Sequence, residues 1–225
     1  GTSLATGTSF TTPSISATTT YYVDATNNGC TTATRTAVIA TVNPNLTSSV
    51  SISASSTSIC GSAAITFTAT PINGGTTPAY QWIKNGVNVG TNSNVFTTSS
   101  LLTNDTIKVV LTSNATCVST ATATSNNSVM TVNAIPIVTS TTPATICGTG
   151  TATLGATASA GTLNWYAAAT GGTSLATATS YTTPSISATT TYYVDATNNG
   201  CTTATRTAVI ATVNTIPTVA TTTPA

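Results

Sequence analysis

The feature that most constrains this chain is a long internal repeat. Residues 1–43 and 172–214 are identical at 41 of 43 positions and differ only at Gly7 versus Ala178 and Phe10 versus Tyr181. Such self-similarity is typical of proteins whose units share one structural task, because catalysis gives no reason to keep a long stretch twice in one chain. We therefore expect a tandem array of one domain type, of which this chain is a window.

Recurring boundary signals divide the chain. Three segments end in the tripeptide Thr-Val-Asn, at residues 41–43, 131–133 and 212–214, and a proline follows each within three residues. Residues 215–225 match residues 134–144 at 7 positions. The expected units are a C-terminal half-domain (1–43), two complete domains (44–133 and 134–214) and the start of a further domain (215–225). Short linkers stiffened by proline predict a semi-rigid, end-to-end stack.

The residue pattern predicts β-structure throughout. Threonine is the most frequent residue, and the β-branched threonine and valine favour strands over helices. Short segments with a strand pattern recur, namely 50–54, 64–68, 107–111, 152–154, 163–166, 192–194 and 208–211. Asn85-Gly86 is the residue pair of a tight hairpin turn, since both turn positions need positive φ. Each complete unit, of 90 or 81 residues, is expected to be one antiparallel β-sandwich.

The charges exclude several classes of function. The chain has three acidic and four basic residues, no histidine and a net charge of +1. Acid–base catalysis is therefore not expected, and three isolated aspartates do not form a calcium site. Scattered charges attract neither nucleic acid nor an anionic membrane, and no apolar run reaches the length of a membrane span. We expect no enzyme activity, catalytic residue, cofactor, metal, nucleic-acid partner or membrane insertion.

Two of the charges suggest a cross-strand contact. Asp195 and Arg206 are the only charges of residues 134–214 and lie on either side of the Gly200-Cys201 turn. We expect them to face each other across the last hairpin, and Asp24 and Arg35 to do the same in the other copy. Exposed pairs of this kind set strand register more than stability.

Five cysteines predict disulfides. Cys60 and Cys117 bracket a tryptophan in one complete domain, and Cys147 and Cys201 bracket another in the next. We expect one bond within each domain, with Cys30 left unpaired because its partner would precede residue 1. A metal site or a reactive thiol is the alternative, although histidine, glutamate and a CxxC motif are missing. Disulfides indicate an extracellular location.

The order cysteine, tryptophan, cysteine is that of immunoglobulin domains. Here, however, Cys117 and Cys201 are expected at a hairpin tip, so each bond would clip one end of a sandwich. With Thr-Pro-Ala-Tyr-Gln-Trp at 77–82 and Ala-Ala-Thr-Gly-Gly-Thr at 168–173, the chain resembles the immunoglobulin-like tandem repeats of giant Bacteroidota surface proteins. Such proteins include gliding adhesins and grappling-hook filaments secreted by the type IX system. The resemblance implies an all-β fold of tandem immunoglobulin-like sandwiches and an extracellular, cell-surface-attached structural or adhesive role.

A few side chains are candidates for surface functions. Asp105-Thr106-Ile107 matches the pattern that Bacteroidota glycosylate on the threonine oxygen, with a plain strand start as the alternative, so Thr106 is a candidate site. In the pairs Trp165-Tyr166 and Tyr192-Tyr193, one residue should face the core and the other the surface. An outward tyrosine can stack on a sugar, although it more often covers a neighbouring strand or domain.

The expected function is that of a mechanical spacer in an extracellular fibre or giant adhesin. The alternative is a glycan-binding or surface-binding module. Binding loops are expected to differ between copies, yet residues 26–32 and 197–203 are identical, which favours the spacer. A neutral, threonine-rich surface lacks repulsion, so we expect self-association into a multi-chain fibre, with any glycan or cell-surface target contacted by other regions.

Overall fold

The computed structural model describes residues 2–220, so Thr221–Ala225 of the expected further domain lie outside it. The described residues form 25 short strands and no helix, and the all-β prediction is confirmed. Two separate hydrophobic cores lie within residues 50–130 and 152–211. The fold is therefore a series of sandwiches, each with its own interior.

The first sandwich contains twelve strands, eight of them in two main sheets. The strands are β5 (Leu46–Thr47), β6 (Ser49–Ala54), β7 (Ser58–Cys60), β8 (Ile65–Ile72), β9 (Ala79–Lys84), β10 (Val87–Val89), β11 (Val95–Thr98), β12 (Thr106–Thr112), β13 (Val118–Thr120), β14 (Thr122–Thr124), β15 (Ser128–Val129) and β16 (Thr131–Asn133). One sheet has the order β11-β8-β6, and the other has the order β10-β9-β12-β14 with β15 also on β12. The alternating pattern of β12, buried at every second residue, places one face of this sheet against the other sheet.

Aromatic side chains fill the centre of this sandwich. Trp82 and Phe67 come from opposite sheets, are fully buried, and have ring centroids 6.3 Å apart. The indole nitrogen of Trp82 donates a hydrogen bond of 2.8 Å to the carbonyl oxygen of Ser93, so its polar atom is satisfied. Asn85 and Gly86 form the two-residue turn between β9 and β10 with φ of 51° and 84°. This is the positive-φ turn that the sequence predicts.

The second sandwich contains nine strands. They are β17 (Val138–Thr142), β18 (Ala144–Cys147), β19 (Thr153–Ala158), β20 (Thr162–Tyr166), β21 (Ala176–Thr177), β22 (Ser180–Thr182), β23 (Thr190–Asn198), β24 (Cys201–Thr202) and β25 (Thr207–Asn214). The sheets have the orders β17-β19-β22 and β18-β25-β23-β20-β21, with β24 on β23. Trp165 and Tyr192 lie in the core, and their neighbours Tyr166 and Tyr193 lie on the outer face, half-buried.

In each sandwich a short early strand pairs in parallel with the last strand. β7 pairs with β16 in the first sandwich, and β18 pairs with β25 in the second. β5 and β13 of the first sandwich also pair in parallel, and the other strand pairs of the two sandwiches are antiparallel. Because a parallel partner runs in the same direction, β7 and β18 each end at the same edge of the sandwich as the last strand. This places Cys60 and Cys147 beside the exit to the following linker.

The N-terminal segment is an open ribbon of β1 (Thr19–Val23), β2 (Thr26–Asn27), β3 (Cys30–Thr31) and β4 (Thr36–Ala40). β1 pairs with β4, and β2 pairs with β3, as β23 pairs with β25 and β24 in the second copy. Val23 is 53% exposed, whereas its equivalent Val194 is fully buried. The ribbon contains the same hairpin as the second sandwich but no opposing sheet, so the side chains that are buried in the second sandwich are more exposed here.

Candidate functional site: a disulfide-linked junction

The junction between the two sandwiches contains a disulfide bond. Cys60 is bonded to Cys201, with 5.6 Å between their Cα atoms and 141 positions between them in sequence. Cys60 ends β7 of the first sandwich, and Cys201 begins β24, at the tip of the last hairpin of the second. The bond therefore joins two successive domains.

This pairing corrects the prediction from sequence for the first sandwich, where Cys60 was expected to bond to Cys117. Cys60 lies opposite Asn133, the last residue of β16, at the exit of the domain. Cys117 lies at the entrance, where its carbonyl oxygen accepts a hydrogen bond of 2.9 Å from the nitrogen of Leu46. A disulfide requires Cα atoms within about 7 Å, which opposite ends of a sandwich do not allow.

The expected bond between Cys147 and Cys201 fails for the same reason. Cys147 lies opposite Asn214 at the exit of the second sandwich, beside the start of β23. Cys201 lies opposite Asn198 at the other end of β23, whose nine residues span roughly 26 Å. Cys30, Cys117 and Cys147 are free and exposed in the structure. The bond thus links two sandwiches instead of clipping one end of each.

The junction around the bond is partly buried, and Cys60 itself is half-buried. Cys201 is 1% exposed, and Pro136 in the linker is fully buried. The side-chain amide of Asn133 donates a 3.5 Å hydrogen bond to the carbonyl oxygen of Asn199 in the opposite hairpin. At Gly61, with φ of +55°, an added Cβ would lie 3.2 Å from Cδ1 of Ile135. The linker side chains therefore cover the end of β7, and the two sandwiches meet without a flexible spacer.

The two ion pairs expected across the last hairpins are present but differ in environment. Arg35 Nε lies 2.9 Å from Asp24 Oδ2 in an exposed setting, with 53% and 33% of the two side chains accessible. Arg206 Nε lies 3.4 Å from Asp195 Oδ2, with only 14% and 6% accessible. The guanidinium of Arg206 also donates to the carbonyl oxygens of Ala168 and Gly171, at 2.8 and 2.7 Å. Its central carbon lies 3.2 Å from the ring centroid of Tyr166.

A third ion pair was not predicted from the sequence. Lys84 Nζ lies 2.8 Å from Asp105 Oδ2, and Asp105 also accepts hydrogen bonds from the Asn85 side chain (2.6 Å) and the Leu102 amide (2.8 Å). Burial opposes ionisation of Asp105, but the hydrogen bonds from Lys84, Leu102 and Asn85 outweigh it, so the pKa of this carboxyl is lowered below 3.8. No sequence signal links the partners, because they come together only through pairing of β9 with β12.

Comparison with known proteins places the chain in a family. Residues 1–44 and 134–215, more than half of the chain, match the family described as Ig-like domain CHU_C associated. The chain belongs to this family. The matched residues contain the N-terminal ribbon and the second sandwich, and Ig-like domains of this kind are typically extracellular. No curated protein matches the sequence.

Solved structures of similar fold share little sequence with this Ig-like chain. The three N-terminal domains of the outer capsid protein Hoc of bacteriophage RB49 are 15% identical over 74% of this chain, which spans 59% of that chain (TM-score 0.40). The fibronectin(III)-like modules of Clostridium thermocellum CbhA are 13% identical over 73% of this chain and 94% of that chain (0.41). The eight N-terminal Ig domains of DSCAM are 13% identical over 88% and 31% (0.33).

The Ig-like domains offer little for chemistry. No group of three or more histidine, cysteine, aspartate or glutamate residues within 2–220 is arranged to hold a metal ion. A groove beside β20 is lined by threonine, alanine, glycine and leucine only, without an aromatic or titratable side chain. The same part of the chain has no helix that is long and apolar enough to cross a membrane. The Ig-like fold is typical of structural or binding domains.

Thr106 lies at the start of β12, half-buried, and its amide donates a 2.8 Å hydrogen bond to the side-chain oxygen of Asn85. The preceding residue of the glycosylation pattern, Asp105, is buried in its ion pair. A glycosyltransferase that recognises Asp105 would therefore have to act on the chain before it folds. Glycosylation of Thr106 stays a prediction.

Proposed function

We propose that this chain is a spacer segment of an extracellular fibre or giant adhesin attached to the cell surface. The observation that carries the proposal is the bond between Cys60 and Cys201, which joins one Ig-like domain to the next. A bond inside a domain stabilises that domain alone, whereas a bond between domains fixes their relative position. Bacteroidota giant surface proteins, exported by type IX secretion, are the proposed setting.

The junction has the properties that a spacer needs. Linker and disulfide form two covalent connections between the same two domains, so their ends cannot separate or rotate freely. Pro136 in the linker is fully buried and the Asn133 side chain contacts the opposite hairpin, so the linker is restrained at these two positions. A stack of domains restrained in this way holds whatever it carries at a set distance, because linker stiffness determines reach.

A glycan-binding or surface-binding module is the alternative function, and three observations disfavour it. The hairpin of residues 197–203, a natural binding loop, has its cysteine engaged in the junction. The groove beside β20 has no aromatic side chain on which a sugar ring can stack. The outward tyrosines Tyr166 and Tyr193 are half-buried, and Tyr166 is covered by Arg206.

The proposal is tested by the geometry of the two complete domains in solution. Small-angle scattering and negative-stain microscopy should give one narrow distribution of interdomain angles for the oxidised chain. Cys201→Ser should broaden it, and Cys147→Ser, which removes an unbonded exposed thiol, serves as the matched control. Equal breadth in all three chains would contradict the spacer. Specific retention on a glycan array, abolished by substitution of Tyr193, would favour the binding module instead.

A further inference from the structure

The five cysteines fall into two structural kinds. Cys60 and Cys147 end a short strand that pairs in parallel with the last strand of its domain, and we call them strand cysteines. Cys30, Cys117 and Cys201 lie in the hairpin at the opposite end, and we call them hairpin cysteines. The observed disulfide joins one strand cysteine to one hairpin cysteine of the following domain.

The two strand cysteines have matching surroundings. Cys60 lies opposite Asn133 and Cys147 lies opposite Asn214, each the last residue of its domain's final strand. The next residue is a glycine with positive φ, and its nitrogen donates to that asparagine's carbonyl oxygen, at 2.9 Å for Gly61 and 2.8 Å for Gly148.

The linker isoleucine also recurs at the same place. A Cβ added at Gly61 would lie 3.2 Å from Cδ1 of Ile135, and one added at Gly148 would lie 2.7 Å from Cδ1 of Ile216. In both positions the isoleucine is followed by proline. The end of the second domain therefore has the same local geometry as the end of the first, including the close approach of the linker isoleucine to the glycine.

What differs is coverage. Cys60 is bonded and Pro136 is fully buried, whereas Cys147 is a free, exposed thiol and Pro217 is exposed. Ile216 is 66% exposed, compared with 43% for its equivalent Ile135. The surface formed by Cys147, Gly148, Ile216 and Pro217 thus has the shape and chemistry of an Ig-like junction without an occupant.

The hairpin cysteines show the same contrast. Cys30 and Cys201 lie in identical seven-residue segments and pair identically within their hairpins, opposite Asn27 and Asn198. Cys201, docked against the first domain, is 1% exposed, whereas Cys30 is exposed and free. Cys117 is likewise exposed at the entrance of its domain. Local sequence thus creates the hairpin, and a docked strand cysteine buries it.

We propose that Cys147 is the strand half of a second inter-domain disulfide, whose other half is the hairpin cysteine of an Ig-like domain that follows in the same chain. Cys117 is the hairpin half of a corresponding bond with a domain on its other side. The array is then linked in series by one disulfide at every junction. The inference rests on the proposed spacer function only for its biological purpose, since the bond itself is argued from geometry.

Each bond forms from two thiols. One thiolate attacks a disulfide oxidant such as oxidised glutathione and displaces one thiol, and the second thiolate then attacks the mixed disulfide and displaces the other. The new S–S bond replaces two S–H bonds, whose protons and two electrons end on the two thiols released by the oxidant. No metal or further redox group takes part.

Serial bonds have a consequence that bonds within domains lack. The loop closed by Cys60 and Cys201 contains Cys147, so the loop closed by a bond from Cys147 to the next domain overlaps it. Each pair of neighbouring domains is then connected both by its linker and by a disulfide, and the loops that successive disulfides close overlap. A single break of the backbone between bonded positions leaves the array in one piece, which suits a fibre exposed to proteases.

The test uses the chain duplicated in tandem, with a copy of residues 145–171 inserted between Ala225 and the second Gly1. Because 215–225 matches 134–144 and 1–43 repeats 172–214, this insertion completes an Ig-like domain at the joint. The second copy's Cys30 and the first copy's Cys147 are the two cysteines under test. Cys30→Ser in the first copy and Cys147→Ser in the second ensure that each of these two cysteines occurs in one identifiable peptide. The protein is oxidised with glutathione, alkylated and mapped without reduction.

Cleavage after lysine and arginine, before aspartate, and after Met130 separates the cysteines. Cys30 then lies in peptide 24–35, Cys60 in 36–84, Cys147 in 131–194 and Cys201 in 195–206. The expected result is a disulfide between peptide 131–194 of the first copy and peptide 24–35 of the second. Linked peptides 36–84 and 195–206 in the same digest show that the observed junction has formed and that the domains are folded.

Two results would overturn the proposal. One is a bond between the inserted cysteine and peptide 24–35, which is a bond within the new domain. The other is an alkylated Cys147 in a digest that contains the 36–84 to 195–206 link. The single chain is the second arm: a 131–194 to 24–35 link found only there, in disulfide dimers, would assign the partner to a separate copy. If the disulfide between Cys147 and the following domain formed but the interdomain angles stayed broadly distributed, the spacer function would be refuted and the present inference would be retained.

Discussion

At the scale of single residues, identical side chains have different roles in the two copies of the repeat. Arg206 is held by a carboxylate, two carbonyl oxygens and a tyrosine ring, whereas its equivalent Arg35 contacts Asp24 in an exposed hairpin. The additional partners come from residues 166–171, which the ribbon of residues 2–43 lacks. The contribution of a charged side chain to stability therefore depends on which partners the rest of the domain places around it.

Arg206→Ala should lower the free energy of unfolding by about 1–3 kcal/mol, because it removes charge-assisted hydrogen bonds from a largely buried group. Arg35→Ala, the same change in the exposed copy, should have almost no effect. Thermal and urea denaturation of the oxidised chain compares the two variants. Equal effects would show that the contacts of Arg206 with Ala168, Gly171 and Tyr166 contribute nothing to stability.

Asp105 predicts a defined acid dependence. Its pKa in the folded chain is lowered below 3.8, so its contribution to stability is present above that value and is lost as the pH falls through the folded-state pKa. With no histidine or glutamate, stability should be nearly constant from about pH 5 to pH 8.

Asp105→Asn should lower the midpoint of unfolding at neutral pH and reduce its decline below about pH 4. Lys108→Met is the matched control, because Lys108 forms no ion pair within residues 2–220. Unfolding curves at a series of pH values give the comparison. If the Asp105→Asn variant declined in acid as much as the unsubstituted chain, the effect would belong to another group.

At the scale of strands, the decisive feature is that the last hairpin must reach the neighbouring domain. Gly161, in the turn before β20, allows β23 to approach closely, since a Cβ there would lie 2.1 Å from the carbonyl oxygen of Thr197. Thr197 pairs with Thr202 beside Cys201. The position of the hairpin cysteine thus depends on a glycine about forty residues away.

Gly161→Ala should therefore destabilise the second domain by about 1–3 kcal/mol more than Gly172→Ala. Both glycines have positive φ, at 80° and 71°, but nothing lies within 4 Å of a Cβ at Gly172. The comparison separates close packing from backbone strain. Denaturation measures stability, and the fraction of Cys201 that resists alkylation measures docking. Similar losses in both variants would mean that backbone strain alone matters.

At the scale of the whole molecule, the disulfide changes how the chain responds to force. It closes a loop of 141 positions that contains parts of both domains. Pulled from its two ends in a single-molecule experiment, the fully unfolded oxidised chain should be shorter than the reduced chain by about 480 Å. Bonds within domains would instead hide two separate loops of 57 and 54 positions. Two missing length increments in place of one would contradict the observed pairing.

The outer surface predicts lateral association of chains. It is rich in threonine and exposes apolar side chains such as Ile210 at 46% on β25, and the whole chain has a net charge of only +1. Neutral contacts of this kind should persist at high salt, whereas lysine substitutions at outward positions such as Thr191 should disperse them. Light scattering and microscopy at increasing concentration give the measurement. A native array that stays a single strand at high concentration would rule out the multi-chain fibre.

Local patterns in the sequence determined the elements of this protein. Alternation placed the strands, Asn85-Gly86 determined a turn, and Asp-Arg spacing about a hairpin placed two ion pairs, because each depends on residues near one another in the chain. The pairing of the cysteines and the buried contact of Lys84 with Asp105 depended on the tertiary structure. A parallel strand carries Cys60 and Cys147 to the far end of their domains, and bond geometry then excludes the partners that sequence order suggests. Only the packing of one domain against the next brings Cys60 and Cys201 within reach.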